Sequence, residues 1–182
     1  MRIYADTSFL VKLLSEEPGT AEAVAEYRRL ERPRLFYLPL HALEVENAIR
    51  HRAFHERRVR PAGERAQINR ERDAALARVS QYVKRGALDE ITLDMDSACG
   101  QARRLSSAYT ERFGARAIDL LHVACALLLE SDLFLCYRRC MEQIVQCGPV
   151  QRFLQDQFSR DALELAVSIQ KNDPAGLVGL ID

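Results

Sequence analysis

Apolar and polar positions alternate between two periods along this chain. Ile3, Tyr4 and Ala5 form a short apolar run, and Phe9, Leu10, Leu13 and Leu14 then recur with helical spacing. The pattern therefore predicts a first strand handing over to a helix, which the Glu17–Gly19 segment stops or kinks. "TAEAVAEYRRLE" predicts a further amphipathic helix, "RLFYLPL" a second strand and "HALEVENAIRHRAFHERR" a long helix. From Arg60 to Arg85 the chain is polar and Arg-rich. Apolar positions at Ile68, Ala75, Leu76, Val79 and Val83 suit an exposed helix there. "EITLD" predicts a third strand, with Asp94 or Asp96 capping the helix "SACGQARRLSSAYTERF". "AIDLLHVACALLLES" is apolar almost all round and is expected to be the most buried helix; "LFLCY" is expected to be the fourth strand. "RRCMEQIVQCG" then predicts a short helix and "VQRFL" a last edge strand. Strands alternating with helices imply an α/β fold, a mainly parallel sheet of about five strands flanked by helices. Residues 1–150 are expected to form this domain, with an Arg-rich helical segment at about 50–85. Residues 151–182 would be a C-terminal helical extension, broken at "NDPAG".

Composition narrows the class without choosing a partner. The 182 residues suffice for one domain with a sizeable core, and the formal net charge is zero. No basic region followed by an apolar stretch marks the N-terminus, and "LLHVACALLL" is too short to span a membrane. Five cysteines without a C-x-x-C pair read as reduced thiols, so the expected location is cytoplasmic. A metal site of Cys136, Cys140, Cys147 and His122 is the minor alternative.

Parallel strands bring their carboxyl ends to one edge, where open α/β folds place ligands. Asp6 follows the first strand, Glu44 lies near the start of the helix after the second, and Asp119 opens the buried helix. Each has a structural reading: acids at helix starts satisfy free amide groups. For Asp6, Thr7 or Ser8 could do the capping instead. Glu44 shares a face with Asn47 and Ala48, while Ala42, Val45 and Ile49 keep the spacing of a packed side. Glu46 shares its side with Arg50, as an ordinary solvated charge does. Together the three acids resemble a site for a hard cation, Mg2+ or Mn2+, because clustered carboxylates repel one another unless a cation sits among them.

"IYADTSFLVKLL", "LPLHALEVENAIRHR" and "ARAIDLLHVACALLLESDLFLCY" resemble, in order and spacing, the PIN-domain ribonucleases of the VapC toxin type. The resemblance runs from Met1 to about Gly148. It implies a PIN-like fold and a metal-dependent endoribonuclease whose catalytic and metal-binding acids correspond to Asp6, Glu44 and Asp119. Thr7 or Ser8 corresponds to the family's small hydroxyl residue, and Asn47 to a polar position after the glutamate. It also implies an RNA substrate, an antitoxin protein and a homodimer, with no membrane. Contacts for these partners are expected in the Arg50–Arg85 segment and the helix at 161–171.

One departure stands out. The family usually carries another aspartate after the fourth strand, where this chain has Cys136, Tyr137 and Arg138. A unit charge about 6 Å from a cation contributes roughly 3 kcal/mol at an effective dielectric near 20. Three outcomes follow: a single-ion enzyme, an enzyme in which Arg138 binds a phosphate, or a catalytically weakened or inactive RNA- or protein-binding module. Arg50 and Arg52, on the helix of Glu44, would guide RNA or simply be solvated. His122 is expected to pack within its apolar helix, and His51 and His55 to face solvent. A phosphate-receiving regulatory domain, with Asp94 as acceptor, would need a late lysine; none lies between Lys84 and Lys171.

Overall fold

A computed structural model of the chain describes residues 1–137. Strand β1 (Ile3–Ala5) leads into helices α1 (Thr7–Leu14) and α2 (Thr20–Arg29), and β2 (Leu35–Tyr37) into α3 (Pro39–Val59). A short 3-10 turn at Ala62–Glu64 precedes α4 (Arg65–Lys84) and β3 (Leu88–Glu90). Then come α5 (Met95–Phe113), α6 (Ala117–Leu128) and β4 (Leu133–Leu135). The four strands lie in the order β3-β2-β1-β4, all parallel. The expected strand "VQRFL", the helix before it and the extension at 151–182 lie outside the described residues.

The central strand β1 is fully buried because both faces of the sheet are covered. Ile3 and Ala5 face a core with Phe9, Leu10 and Leu14 of α1, Val45 and Ile49 of α3, and Val79 of α4. Tyr4 faces the opposite core, built from α5, α6 and Phe134. This is the alternation a strand imposes, each successive side chain crossing the sheet. Helix α6 is buried from Asp119 to Leu127 with only Leu121 partly exposed, as its apolar circumference implies. Asp94 caps α5, accepting from the Asp96 and Ser97 amides.

One element is displaced from its expected place. Strand β3 occupies Leu88–Glu90 and not "EITLD". Leu88, 1% exposed, is the residue opposite Leu35, whereas Ile91 adds one last bond to the Tyr37 carbonyl and its side chain turns to the α5–α6 core. Short apolar runs carry no register of their own; the partner strand sets it.

Helices α2, α4 and α6 end alike. The Arg32, Ala87 and Ser131 amides reach back to the carbonyls of Tyr27, Tyr82 and Ala126, and the Glu31, Gly86 and Glu130 amides to those of Arg28, Val83 and Leu127. These are Schellman motifs, with the left-handed residue at Glu31 (φ 62°), Gly86 (φ 68°) and Glu130 (φ 49°). Only α4 uses glycine there. Glu31→Gly should therefore stabilise the protein by about 0.5–1 kcal/mol, read as a raised midpoint in urea unfolding. An unchanged or lowered midpoint would show that Glu31 is not strained.

Candidate active site

The expected acids stand on three different elements: Asp6 follows β1 and caps α1, Glu44 lies in the second turn of α3, and Asp119 in the first turn of α6. Asp6 ends β1, is 2% exposed and serves as the N-cap of α1, its Oδ1 accepting from the Phe9 amide at 2.9 Å. Of the caps the sequence leaves open, Asp6, Thr7 or Ser8, the cap is Asp6 itself. Ser8 donates its hydroxyl to Asp6 Oδ1 and Oδ2 at 2.7 and 2.8 Å and accepts from the Tyr137 amide at 3.0 Å. The Asp6 amide donates to the Leu135 carbonyl at 2.9 Å, so β4 pins this corner from the other side.

Asp119, 3% exposed, is the third residue of α6, and its Oδ2 accepts from the Arg116 amide at 3.3 Å. In α3 the equivalent position is His41, whose Nδ1 accepts from the Leu38 amide at 2.9 Å. Both helices thus use a side chain at the third position to reach back to the entering amide, one half of a capping box.

Glu44 is the residue that joins elements. Its Oε2 accepts from the Thr7 hydroxyl at 2.7 Å and pairs with His122 Nε2 at 2.5 Å, so α1, α3 and α6 meet on one carboxylate oxygen. Thr7 Oγ1 also lies 3.3 Å from His122 Nε2. On the far side of the ring, His122 Nδ1 lies 2.8 Å from the Tyr4 hydroxyl. Burial, with lesser contributions from Cys125, Asp6 and Glu44, raises the Tyr4 pKa well above its ordinary value. Tyr4 therefore keeps its proton; the Glu44 carboxylate accepts, so Nε2 carries the hydrogen between them, and in that neutral tautomer Nδ1 accepts from Tyr4.

His122 is buried in its apolar helix as expected, but it also forms the centre of this polar network. Sequence reasoning misses Tyr4 and His41. Their signal is a polar-tipped ring inside a wholly buried strand and an imidazole within the apolar run "LPLHAL". His41 is 0% exposed, with its ring 4.8 Å from Tyr4, 5.9 Å from Tyr37 and 5.1 Å from His122 between centroids. Burial, reinforced by His122, lowers its pKa to about 3. The Ala5 carbonyl pulls the other way, and His41 Nε2 makes no further hydrogen bond among the described residues.

The remaining candidates scatter. Asn47 is exposed on α3. Arg50 is exposed and paired with Glu46 at 2.7 Å, the solvated pair expected. Arg52 pairs with Glu56 at 2.8 Å and lines a cleft between α3 and α4. His51 and His55 face solvent, their Nε2 atoms 3.1 Å apart. Arg138, Cys140 and Cys147 lie outside the described residues.

Oxygen donors from Asp6, Glu44 and Asp119 are of the kind a hard divalent cation takes. Two of them are buried, where an uncompensated negative charge is costly. The donor chemistry therefore fits such an ion. The geometry is not yet that of a coordination shell: among the described residues, no three His, Cys, Asp or Glu side chains are grouped to hold a metal. Each carboxylate is turned toward protein donors, Asp6 to Ser8 and Phe9, Glu44 to Thr7 and His122, and Asp119 to Arg116.

A parallel α/β sheet with acids following β1, opening α6 and standing near the start of α3 defines an acidic-edge domain. The PIN domain model matches residues 3–137, and the chain belongs to this family. PIN domains are generally nuclease or RNA-binding domains, and the nucleases among them generally use divalent metal ions. No curated protein matches the chain. Among the described residues, no helix is long and apolar enough to cross a membrane.

Proposed function

We propose that the protein is a metal-dependent endoribonuclease of the VapC toxin type, acting through Asp6, Glu44 and Asp119. The observation that carries this reading is the Glu44 carboxylate, drawn by Thr7 and His122 to the sheet edge where Asp6 ends β1. Family membership supplies the reaction class. The three acids would hold Mg2+ or Mn2+. Such an ion supplies an activated water for in-line attack on an RNA phosphodiester and offsets the charge developing on the phosphate, leaving 5′-phosphate and 3′-hydroxyl ends.

The chain's own residues do the positioning. Ser8 and the Phe9 amide fix the Asp6 carboxylate, which must share or leave these donors to receive a cation. Tyr4 braces the far side of the His122 ring, and His122 and Thr7 orient Glu44. For Glu44 to ligate, it must share or leave these donors. An antitoxin protein, a homodimer and a cytoplasmic location belong to the same reading. Leu43, Phe54 and Val59, exposed on α3 at 70%, 49% and 81%, give a partner apolar surface to cover.

The carboxylates' engagement with protein donors favours one second reading, an RNA- or protein-binding module without catalysis. Purified protein with Mn2+ should cleave RNA, and Asp119→Asn should lower the rate at least about a hundredfold. No cleavage by the parent protein would select the binding module. Cleavage that survives Asp119→Asn would remove Asp119 from the site.

A further inference from the structure

The edge of the sheet opposite the acids carries a different chemistry. Helices α2 and α4 end side by side, and their Schellman turns feed the neighbouring parallel strands β2 and β3, the Leu35 amide donating to the Ala87 carbonyl. Between the turns lies an open pocket of about 470 Å3. Four arginines line it: Arg28 on α2, Arg32 and Arg34 in the turn into β2, and Arg85 at the end of α4. Its walls include Tyr27 and Tyr82, which hold the same position in the two helix ends, with Val24, Gly86 and Ala87 completing the surface.

Among the described residues no Asp or Glu lines this pocket, and none of the four guanidinium groups forms an ion pair. The contrast with the α3–α4 cleft is direct. That cavity, of about 350 Å3, also holds four arginines, but acids answer them: Glu56 meets Arg52, Glu64 and Glu71 meet Arg60, Asp73 meets Arg72 and Glu16 meets Arg78. There ion pairs compensate the charges; at the α2–α4 turns no ion pair among the described residues joins the four arginines, although Glu31 lies in the α2 turn outside the pocket lining.

Arginines commonly follow helix ends because they satisfy terminal carbonyls and oppose the helix dipole. Neither need explains this set. The terminal carbonyls of Tyr27, Arg28, Tyr82 and Val83 already accept backbone amides. Two helix C-termini contribute roughly half a negative charge each, far less than four full positive charges. The pocket is thus strongly positive, exposed and floored by apolar and aromatic groups. Tyr27, buried beside Tyr82, keeps its proton because burial and Tyr82 raise its pKa against the smaller opposing effect of Arg32. It remains a neutral ring that adds no negative charge.

Exposed guanidiniums along an open, aromatic-walled pocket suit a flexible polyanion running through it better than a small ligand enclosed within it. We propose that the α2–α4 turns form a second nucleic-acid contact, in which Arg28, Arg32, Arg34 and Arg85 take successive phosphates of a single-stranded RNA and the half-buried Tyr82 ring offers a stacking face. It extends the RNA chemistry proposed above yet uses none of the three acids. The strands separate the two edges by on the order of 10–15 Å, so one RNA could engage both.

The test reads binding alone. Full-length protein is titrated into a fluorescent oligouridylate of about 15 nucleotides in EDTA, and anisotropy is followed at several salt concentrations. Arg34→Gln/Arg85→Gln should weaken binding roughly tenfold and reduce the salt slope by about 1.4, at about 0.7 for each phosphate no longer neutralised. Arg28→Gln/Arg85→Gln should do the same. Arg65→Gln/Arg70→Gln, equal in charge and exposed on the distant start of α4, should change affinity less than threefold. Equal losses from all three pairs would reduce the effect to bulk charge and overturn the site, as would no loss from the first two. Binding of inorganic tripolyphosphate without binding of the oligonucleotide would overturn the RNA assignment. Divalent ions are absent, so failed cleavage in a separate assay leaves this result standing, and failed binding here leaves the acidic site standing.

Discussion

Asp6→Asn should reduce metal-dependent RNA cleavage at least about a hundredfold while leaving the fold as stable as before or more so. The two effects separate because Asp6 has two jobs. As N-cap it accepts from the Phe9 amide, and asparagine caps about as well as aspartate. As a proposed ligand it contributes a charge that asparagine lacks. Removing that charge from a side chain 2% exposed also relieves the cost of burying it, and active-site residues often lower stability in this way. Asp6→Ala should lose cleavage and, in addition, about 1 kcal/mol of stability with the cap. Urea unfolding and a discontinuous cleavage assay on the same preparations check both. If Asp6→Asn cleaved normally while Asp6→Ala was destabilised, Asp6 would be a cap and nothing more, and the acidic edge would lose its first member.

Much of this architecture is legible in the sequence because it is local. The break at Glu17–Gly19 between α1 and α2, the Asp94 cap on α5, the buried circumference of α6 and the exposed Glu46–Arg50 pair each depend on residues within about one or two turns of one another. Parallel topology then sets the end of β1 and the starts of α3 and α6 toward one edge without any distance having to be known. What escapes is non-local. Whether Asp6 or Ser8 caps α1 depends on Tyr137, which occupies the Ser8 hydroxyl from 129 residues away. Whether Glu44 faces solvent or a proton donor depends on Tyr4 and His122, on elements that meet only after the sheet forms. A periodicity identifies the buried face of α6; it does not say that a hydroxyl on β1 waits beneath it. The displacement of β3 has the same origin, since Leu35 and Tyr37 choose their partners across the sheet.

The polar network also makes the site and the core a single structure. Tyr4 sits on the central strand, stacked on Phe134 with ring centroids 5.5 Å apart, and its hydroxyl tip braces the ring that orients Glu44. A buried polar chain of this kind is stabilising only when each member is satisfied. His41 is where satisfaction is incomplete, with one ring nitrogen bonded to the Leu38 amide and the other making no further hydrogen bond among the described residues.

The burial of His41, reinforced by His122, should make the protein acid-sensitive between pH 7 and pH 5. The His41 pKa falls from 6.5 to about 3 on folding, so between these values the unfolded chain binds the proton that the folded chain refuses. Stability therefore rises with pH through this window, is fully present above the unfolded value and is lost progressively below it. Over the fall from pH 7 to pH 5 the loss should be about 2 kcal/mol. Tyr4, Tyr37 and His122 face the ring, and no carboxylate is among these ring contacts to rescue the cation. Denaturant unfolding at pH 7, 6 and 5, with His41→Asn beside the parent, reads this directly. Asparagine can still accept from the Leu38 amide, and its smaller side chain lowers stability equally at every pH, so the slope and not the level carries the result. A parent slope near zero, or one that His41→Asn leaves intact, would mean that the buried imidazole is not what sets the protein's acid limit.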